Sequence, residues 1–157
     1  MRTAAGDAIS RLAFQILRLS ADITAAGDEL ARPAGQTSAR WQVLAAADHE
    51  SSTVADIARA LGLTRQSVQR VADLLANDKL VRYDDNPEHQ RAKLVRLTAA
   101  GCSALQTIQH AQIEWANALA KKLNVADVQR ATETLDEITV LLRPPRFLTR
   151  EINAPDI

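Results

Sequence analysis

Between Gly62 and Arg70 the chain reads Leu63-Thr-Arg-Gln-Ser-Val-Gln-Arg70, which places two hydroxyls, two guanidinium groups and two carboxamides within two helical turns. Guanidinium forks and carboxamide donor–acceptor pairs match the hydrogen-bonding edges of bases in a major groove. Thr64 and Ser67, beside the free N–H groups of a helix start, suit phosphate oxygens, and Arg65, Gln66, Gln69 and Arg70 project further along the same segment. A second group follows the polar run Asp84-Asp-Asn-Pro-Glu-His-Gln, where Arg91 sits at the tip between two β-prone stretches and Lys93 and Arg96 lie on the return stretch. An arginine on such a tip can enter a narrow minor groove. Residues 56–96 hold eight bases (Arg59, Arg65, Arg70, Lys79, Arg82, Arg91, Lys93, Arg96) against six acids (Asp56, Asp73, Asp78, Asp84, Asp85, Glu88). The excess is small, so placement carries the reading. Outside Arg70 and Arg91, a solvated surface is the commoner fate of any one such residue.

The elements that must hold these groups are legible from periodicity and caps. Thr53-Val-Ala-Asp56 has the form of a capping box with Asp in place of Glu, and Val54, Ile57, Ala58 and Leu61 give the inward face of a short helix that Gly62 breaks. Thr64 then caps a second helix with Val68, Val71, Ala72 and Leu75 on one side. At about 100° per residue its opposite side carries Gln66, Gln69, Arg70 and Asp73. This is a helix-turn-helix pattern, with an ordinary αα-hairpin as the plain alternative. Leu80–Tyr83 and Ala92–Leu97 predict the two strands of a hairpin.

Flanking segments are long and amphipathic. Residues 7–30 place Ile9, Leu12, Ala13, Ile16, Leu19, Ile23, Ala26 and Leu30 on one stripe, with Phe14 and Leu17 off it and suited to a second chain, and Pro33 and Gly35 end the helix. A helix capped by Thr37 or Ser38 runs to Asp48, with Trp41, Leu44 and Ala45 on a shared face. Thr98 caps a helix through Leu105, Ile108, Trp115, Ala116, Leu119 and Leu123; after Asn124 a last helix uses Val128, Ala131, Leu135, Ile138 and Leu142 until Pro144-Pro145. The tail 146–157 is read either as disordered or as lying along a partner.

Composition narrows the function classes. With 157 residues, 46% hydrophobic and 19 basic against 19 acidic side chains, the chain can bury a core and carries no net charge with which to coat nucleic acid indiscriminately. It has no long apolar run, and Met1–Asp7 lacks a leader's hydrophobic stretch, so no membrane partner and a cytoplasmic location are expected. His49, His89 and His110 are scattered and unaccompanied by cysteine or paired carboxylates, which argues against a metal site. No phosphate-binding glycine loop or nucleophile elbow is present; no catalytic residue and no cofactor are expected.

Taken in order, Asp56-Ile-Ala-Arg-Ala-Leu-Gly-Leu-Thr-Arg-Gln-Ser-Val-Gln-Arg70, Leu80-Val81 and Gln90-Arg-Ala-Lys-Leu-Val-Arg-Leu-Thr-Ala-Ala-Gly101 resemble the MarR family of winged helix-turn-helix transcriptional regulators. The resemblance implies a mainly α fold with a small β-hairpin wing. Residues 37–98 form the DNA-binding lobe in this reading, and residues 7–31 and 99–143 form long dimerisation helices. It implies a homodimer on an inverted repeat of double-stranded DNA, acting as a repressor released by a small aromatic or amphipathic ligand, for which Arg40 and Trp41 are the candidate lining residues. A plain core role for Trp41 stands beside that. Many family members carry an acidic residue two positions before the wing arginine. Here that position is His89, with Glu88 next to it as the available substitute. Peroxide-sensing members place their cysteine in the N-terminal helical region, whereas the single Cys102 falls at the start of the fifth helix. It is read as a small buried residue. A redox-switched DNA binder using Cys102, favoured by the helix dipole, and a dimeric interaction module without DNA binding are the alternatives.

Overall fold

The structure, a computed structural model, describes residues 3–48, 52–89 and 91–142. Its elements are α1 (Ala4–Ala31), a 3-10 turn (Arg32–Ala34), α2 (Ser38–Asp48), α3 (Val54–Leu61), α4 (Arg65–Asn77), β1 (Val81–Asp84), β2 (Leu94–Leu97), α5 (Ala99–Ala120) and α6 (Val125–Leu142). The expected mainly α chain with one small hairpin is what forms. Two compact units divide it, residues 1–113 and 114–157. His49, Pro144, Pro145 and the tail lie outside the described residues.

In the first unit the core lies among α2, α3, α4, the hairpin and the start of α5. Leu44, Ile57, Val68, Leu75 and Val95 are fully buried there, and Leu105 joins them. No aromatic residue is among the buried side chains described, so aliphatic burial drives the packing. On α4, Val68, Ala72 and Leu75 turn inward as the periodicity predicts, while Val71 is only half-buried.

Several boundaries differ from the sequence reading. Helix α1 begins three residues earlier than expected, because the Thr3 hydroxyl accepts the Gly6 N–H at 3.1 Å. Its stripe does not separate from Phe14 and Leu17 by burial: Ile9, Leu19 and Ile23 are more than half exposed, and α1 buries only Gly27 and Ala31. That buried end meets α2. The Asp28 carboxylate accepts the Ser38 N–H at 2.7 Å, and Thr37 caps α2 by accepting the Arg40 N–H at 3.3 Å. Strand β2 starts at Leu94 rather than Ala92, since the Ala92 N–H is drawn into the turn by the His89 carbonyl. In compensation Val95 donates to the Ser52 carbonyl at 2.9 Å, and Thr53 bridges Leu94, tying the hairpin to the entry of α3. Helix α5 ends at Ala120, so Leu123 falls in the following turn. In the second unit, α6 starts where the Asn124 side chain accepts the Ala126 N–H at 2.9 Å, and no residue of α6 is buried.

The antiparallel register pairs Val81 with Leu97 and Asp84 with Leu94. It is set at the hairpin's base. Lys79 takes a left-handed conformation (φ 60°) just past the end of α4, which lets the Leu80 N–H reach the Leu75 carbonyl at 2.8 Å. The Leu80 carbonyl then accepts the Thr98 N–H at 3.0 Å. Thr98 caps α5 by accepting the Gly101 N–H at 3.1 Å while its hydroxyl donates to the Lys79 carbonyl at 2.6 Å. A Cβ on Gly101 would stand 2.0 Å from the Leu80 carbonyl oxygen, so the helix approaches the strand over a bare Cα. Gly101→Ala is expected to destabilise the chain by about 3 kcal/mol, whereas Ser103→Ala on the exposed side stays within about 0.5 kcal/mol; urea unfolding of both variants checks this.

Candidate nucleic-acid interface

The interface is built from α3 upward. Thr53 and Asp56 complete a reciprocal capping box: the Thr53 side chain accepts the Asp56 N–H at 3.3 Å, and the Asp56 carboxylate accepts the Thr53 N–H at 3.1 Å and hydroxyl at 2.6 Å. Arg59 donates to the other Asp56 oxygen at 3.0 Å. These donors hold the Asp56 carboxyl below its ordinary range, the Thr53 hydroxyl contributing most. Gly62 closes α3 at φ 66°, a left-handed position that suits glycine. Thr64 then opens α4 by accepting the Ser67 N–H at 3.2 Å, and the Ser67 hydroxyl donates back to the Thr64 carbonyl at 3.0 Å. The two hydroxyls expected on phosphates therefore also serve as the helix's own cap.

A cleft of about 670 Å³ runs between the start of α4 and the hairpin, and Arg65, Gln66, Gln69, Arg91 and Lys93 all line it, with Tyr83 and Thr53. Residues separated by up to 40 positions in sequence, Thr53 and Lys93, thus share one concavity. Thr64, Ser67 and Arg70 are exposed on α4 outside that lining. Gln69 is engaged within the protein: its amide donates to Asp73 and to the Tyr83 hydroxyl, each at 2.8 Å. Tyr83 in turn donates to Asp73 at 2.6 Å. Burial, then the Asp73 carboxylate, pushes the Tyr83 phenol well above its ordinary value. Sequence reasoning placed Gln69 and Asp73 on one face at i,i+4 spacing, but nothing in the sequence pointed to Tyr83 as their partner.

The hairpin's other cations are partly spent. Asp84 pairs with Arg82 at 2.9 Å and with Arg96 at 3.3 Å, and the Arg82 hydrogen bonds hold its carboxyl low. No ion pair joins Arg91 to Glu88 among the described residues; the Glu88 N–H donates to the Asn86 side chain at 2.9 Å instead.

A second cavity of about 620 Å³ lies between the end of α1, α2 and α3, lined by Trp41 together with Ile23, Gly27, Ala45, Ile57 and Leu61. Arg40, expected beside Trp41, is turned elsewhere: it pairs with Asp78 at 2.5 Å and ties α2 to the end of α4. The cavity's α2 wall is instead Ser38, Trp41, Gln42, Ala45 and Ala46, on the other side of the helix from the Arg40–Asp78 pair. Cys102 is an unpaired thiol, half-buried rather than buried as expected. No cluster able to hold a metal ion occurs among the described residues, and none of their helices is long and apolar enough to cross a membrane.

Two helices joined by a glycine turn, the second facing a wing across a basic cleft, define a winged helix-turn-helix. A model of the MarR family matches residues 34–92. An uncharacterised protein of Mycobacterium tuberculosis is 36% identical over 140 residues, covering 89% of this chain and 98% of its own. The fold is shared with a mutant of MarR from Escherichia coli complexed with operator DNA (22% identity, TM-score 0.75, 87% of this chain and 99% of that one). It is also shared with CouR from Rhodococcus jostii RHA1 bound to p-coumaroyl-CoA (19% identity, TM-score 0.73, 85% and 95%). The chain belongs to the MarR family of transcriptional regulators.

Because the folded-state pKa of Asp56 is depressed, its contribution is present above the unfolded value of about 4 and is lost as pH falls through the folded one. Urea unfolding across a pH series is expected to show wild type more stable than Asp56→Asn near neutrality, the gap closing below about pH 4.

Proposed function

We propose that this regulator is a repressor which binds an inverted repeat as a homodimer and is released by a small aromatic or amphipathic ligand. The observation that carries the DNA reading is the cleft joining Arg65 and Gln66 of α4 to Arg91 of the hairpin. In this assignment Gln66 and Arg70 read the major groove, Arg91 enters the minor groove, and Arg65, Lys93, Thr64 and Ser67 position the lobe on phosphates. Support for two copies comes from apolar faces with no cover in their own unit: Phe14 and Leu17 on α1 are 63% and 71% exposed, and α6 shows Val128 and Leu135. Two lobes related by a two-fold axis reach half-sites about one helical turn, roughly 34 Å, apart.

A duplex selected by the protein from a random library supplies the probe. Arg70→Ala is expected to weaken its binding by about 1 to 3 kcal/mol and to relax one base preference, and Arg91→Ala to weaken it without that relaxation. The complex is expected to sediment with two chains per duplex. Unchanged affinity in both variants, or one chain per duplex, overturns the assignment.

The Trp41 cavity supports the ligand reading, its lining being largely apolar around one indole. In a Trp115→Phe background, which leaves Trp41 as the only indole, small aromatic acids, amines and neutral phenols are expected to include a compound that quenches fluorescence. The same compound weakens the DNA complex at least tenfold, about 1.4 kcal/mol of coupling. A panel that does neither overturns ligand release and leaves DNA binding standing.

A further inference from the structure

The Gln69, Asp73 and Tyr83 side chains form a closed ring of three hydrogen bonds that crosses from α4 to β1. Gln69 Nε2 donates to Asp73 Oδ1 and to Tyr83 Oη, each at 2.8 Å, and Tyr83 Oη donates to the same Asp73 oxygen at 2.6 Å. Both amide hydrogens of Gln69 are therefore used. The orientation of the amide follows from charge: turned over, its carbonyl oxygen would face the Asp73 carboxylate, an acceptor against an acceptor. What Gln69 has left to offer a groove is one acceptor oxygen. The bidentate contact to adenine needs a donor and an acceptor together, so the ring withdraws Gln69 from that role.

The same ring reaches the wall of the cleft, since Gln69 and Tyr83 line it together with Gln66 and Arg91. The Tyr83 ring packs against the core, and its hydroxyl is the part that reaches α4. Its neighbours on the hairpin, Arg82 and Asp84, are paired with each other on the adjoining positions and leave Tyr83 as the side chain that meets Gln69 and Asp73. The geometry points to Tyr83 and Asp73 as positioning residues for DNA recognition: through Gln69 they brace the wing against the recognition helix, setting the span between the major-groove and minor-groove readers. This rests on the DNA-binding reading of the cleft. A helix and a wing held at fixed spacing engage one half-site without ordering a joint at binding, whereas a loose wing loses that freedom only in the specific complex. Removing the brace should therefore lower specific affinity and leave loose, phosphate-only binding unchanged.

Tyr83→Phe keeps the ring and its packing and deletes the hydroxyl. It is expected to melt within a few degrees of wild type and to bind the selected duplex 3- to 30-fold more weakly. Affinity for an unrelated duplex of equal length should not change. Gln69→Ala should give a loss of similar size, spread evenly over all single-base variants of the duplex. The double variant should be no worse than the weaker single, and neither loss should add to that of Arg91→Ala, which acts through the same wing. In the free protein, 15N relaxation of the wing amides of Asp85, Asn86, Glu88, Arg91 and Lys93 should report faster and wider motion in Tyr83→Phe. The proposal is overturned if Tyr83→Phe binds the selected duplex as wild type does, if Gln69→Ala relaxes the preference at one base pair alone, or if the wing's relaxation is unaltered. Failure to select any duplex would count against the DNA reading, and the relaxation result still decides the brace.

Discussion

What the outer face of α4 presents depends on how that helix is gripped from behind. Val68, Ala72 and Leu75 are fully buried, and together they occupy one side of a helix of only 13 residues. A helix that short has little stability of its own in water, so its orientation comes from that buried stripe. Burying the stripe necessarily turns the opposite side, with Gln66, Gln69 and Arg70, to solvent. The core and the interface are thus two faces of one constraint.

The grip extends to the wing through backbone chemistry rather than side-chain bulk. At the base of the hairpin the Leu80 carbonyl accepts the Thr98 N–H, the Thr98 hydroxyl caps α5, and Gly101 leaves room for the approach. At the hairpin's far end, Ser52 and Thr53 hold the start of β2 beside the entry of α3. With both ends anchored, the four-residue strands need little pairing energy of their own. This matters because an isolated two-stranded hairpin is marginal in water.

Charge on this surface is selective. Of the hairpin's basic residues, Arg82 and Arg96 turn to Asp84, while Arg91 and Lys93 line the cleft. Arg40 is likewise drawn to Asp78. A chain with equal numbers of acids and bases can still present a basic cleft, because close acidic partners absorb the cations that lie elsewhere. The proposed DNA contact accordingly rests on the few cationic groups that the cleft gathers rather than on net charge.

Much of this was written into the sequence. The capping box at Thr53 and Asp56, the break at Gly62, the cap at Thr64 and the inward stripe of α4 are local features, each set by residues within one or two turns of one another. They determine that a helix-turn-helix forms and which residues of α4 face outward. Beyond local reach, tertiary structure decided. Whether Arg40 shares a cavity with Trp41 or pairs with Asp78, 38 residues on, depends on where α4 ends in space. Whether Gln69 is free to read a base depends on Tyr83, 14 residues away on a strand whose register is set by Leu80, Thr98 and Gly101. Hydrogen bonds and ion pairs act over about 3 Å, and only the packing of distant segments brings such partners within that range.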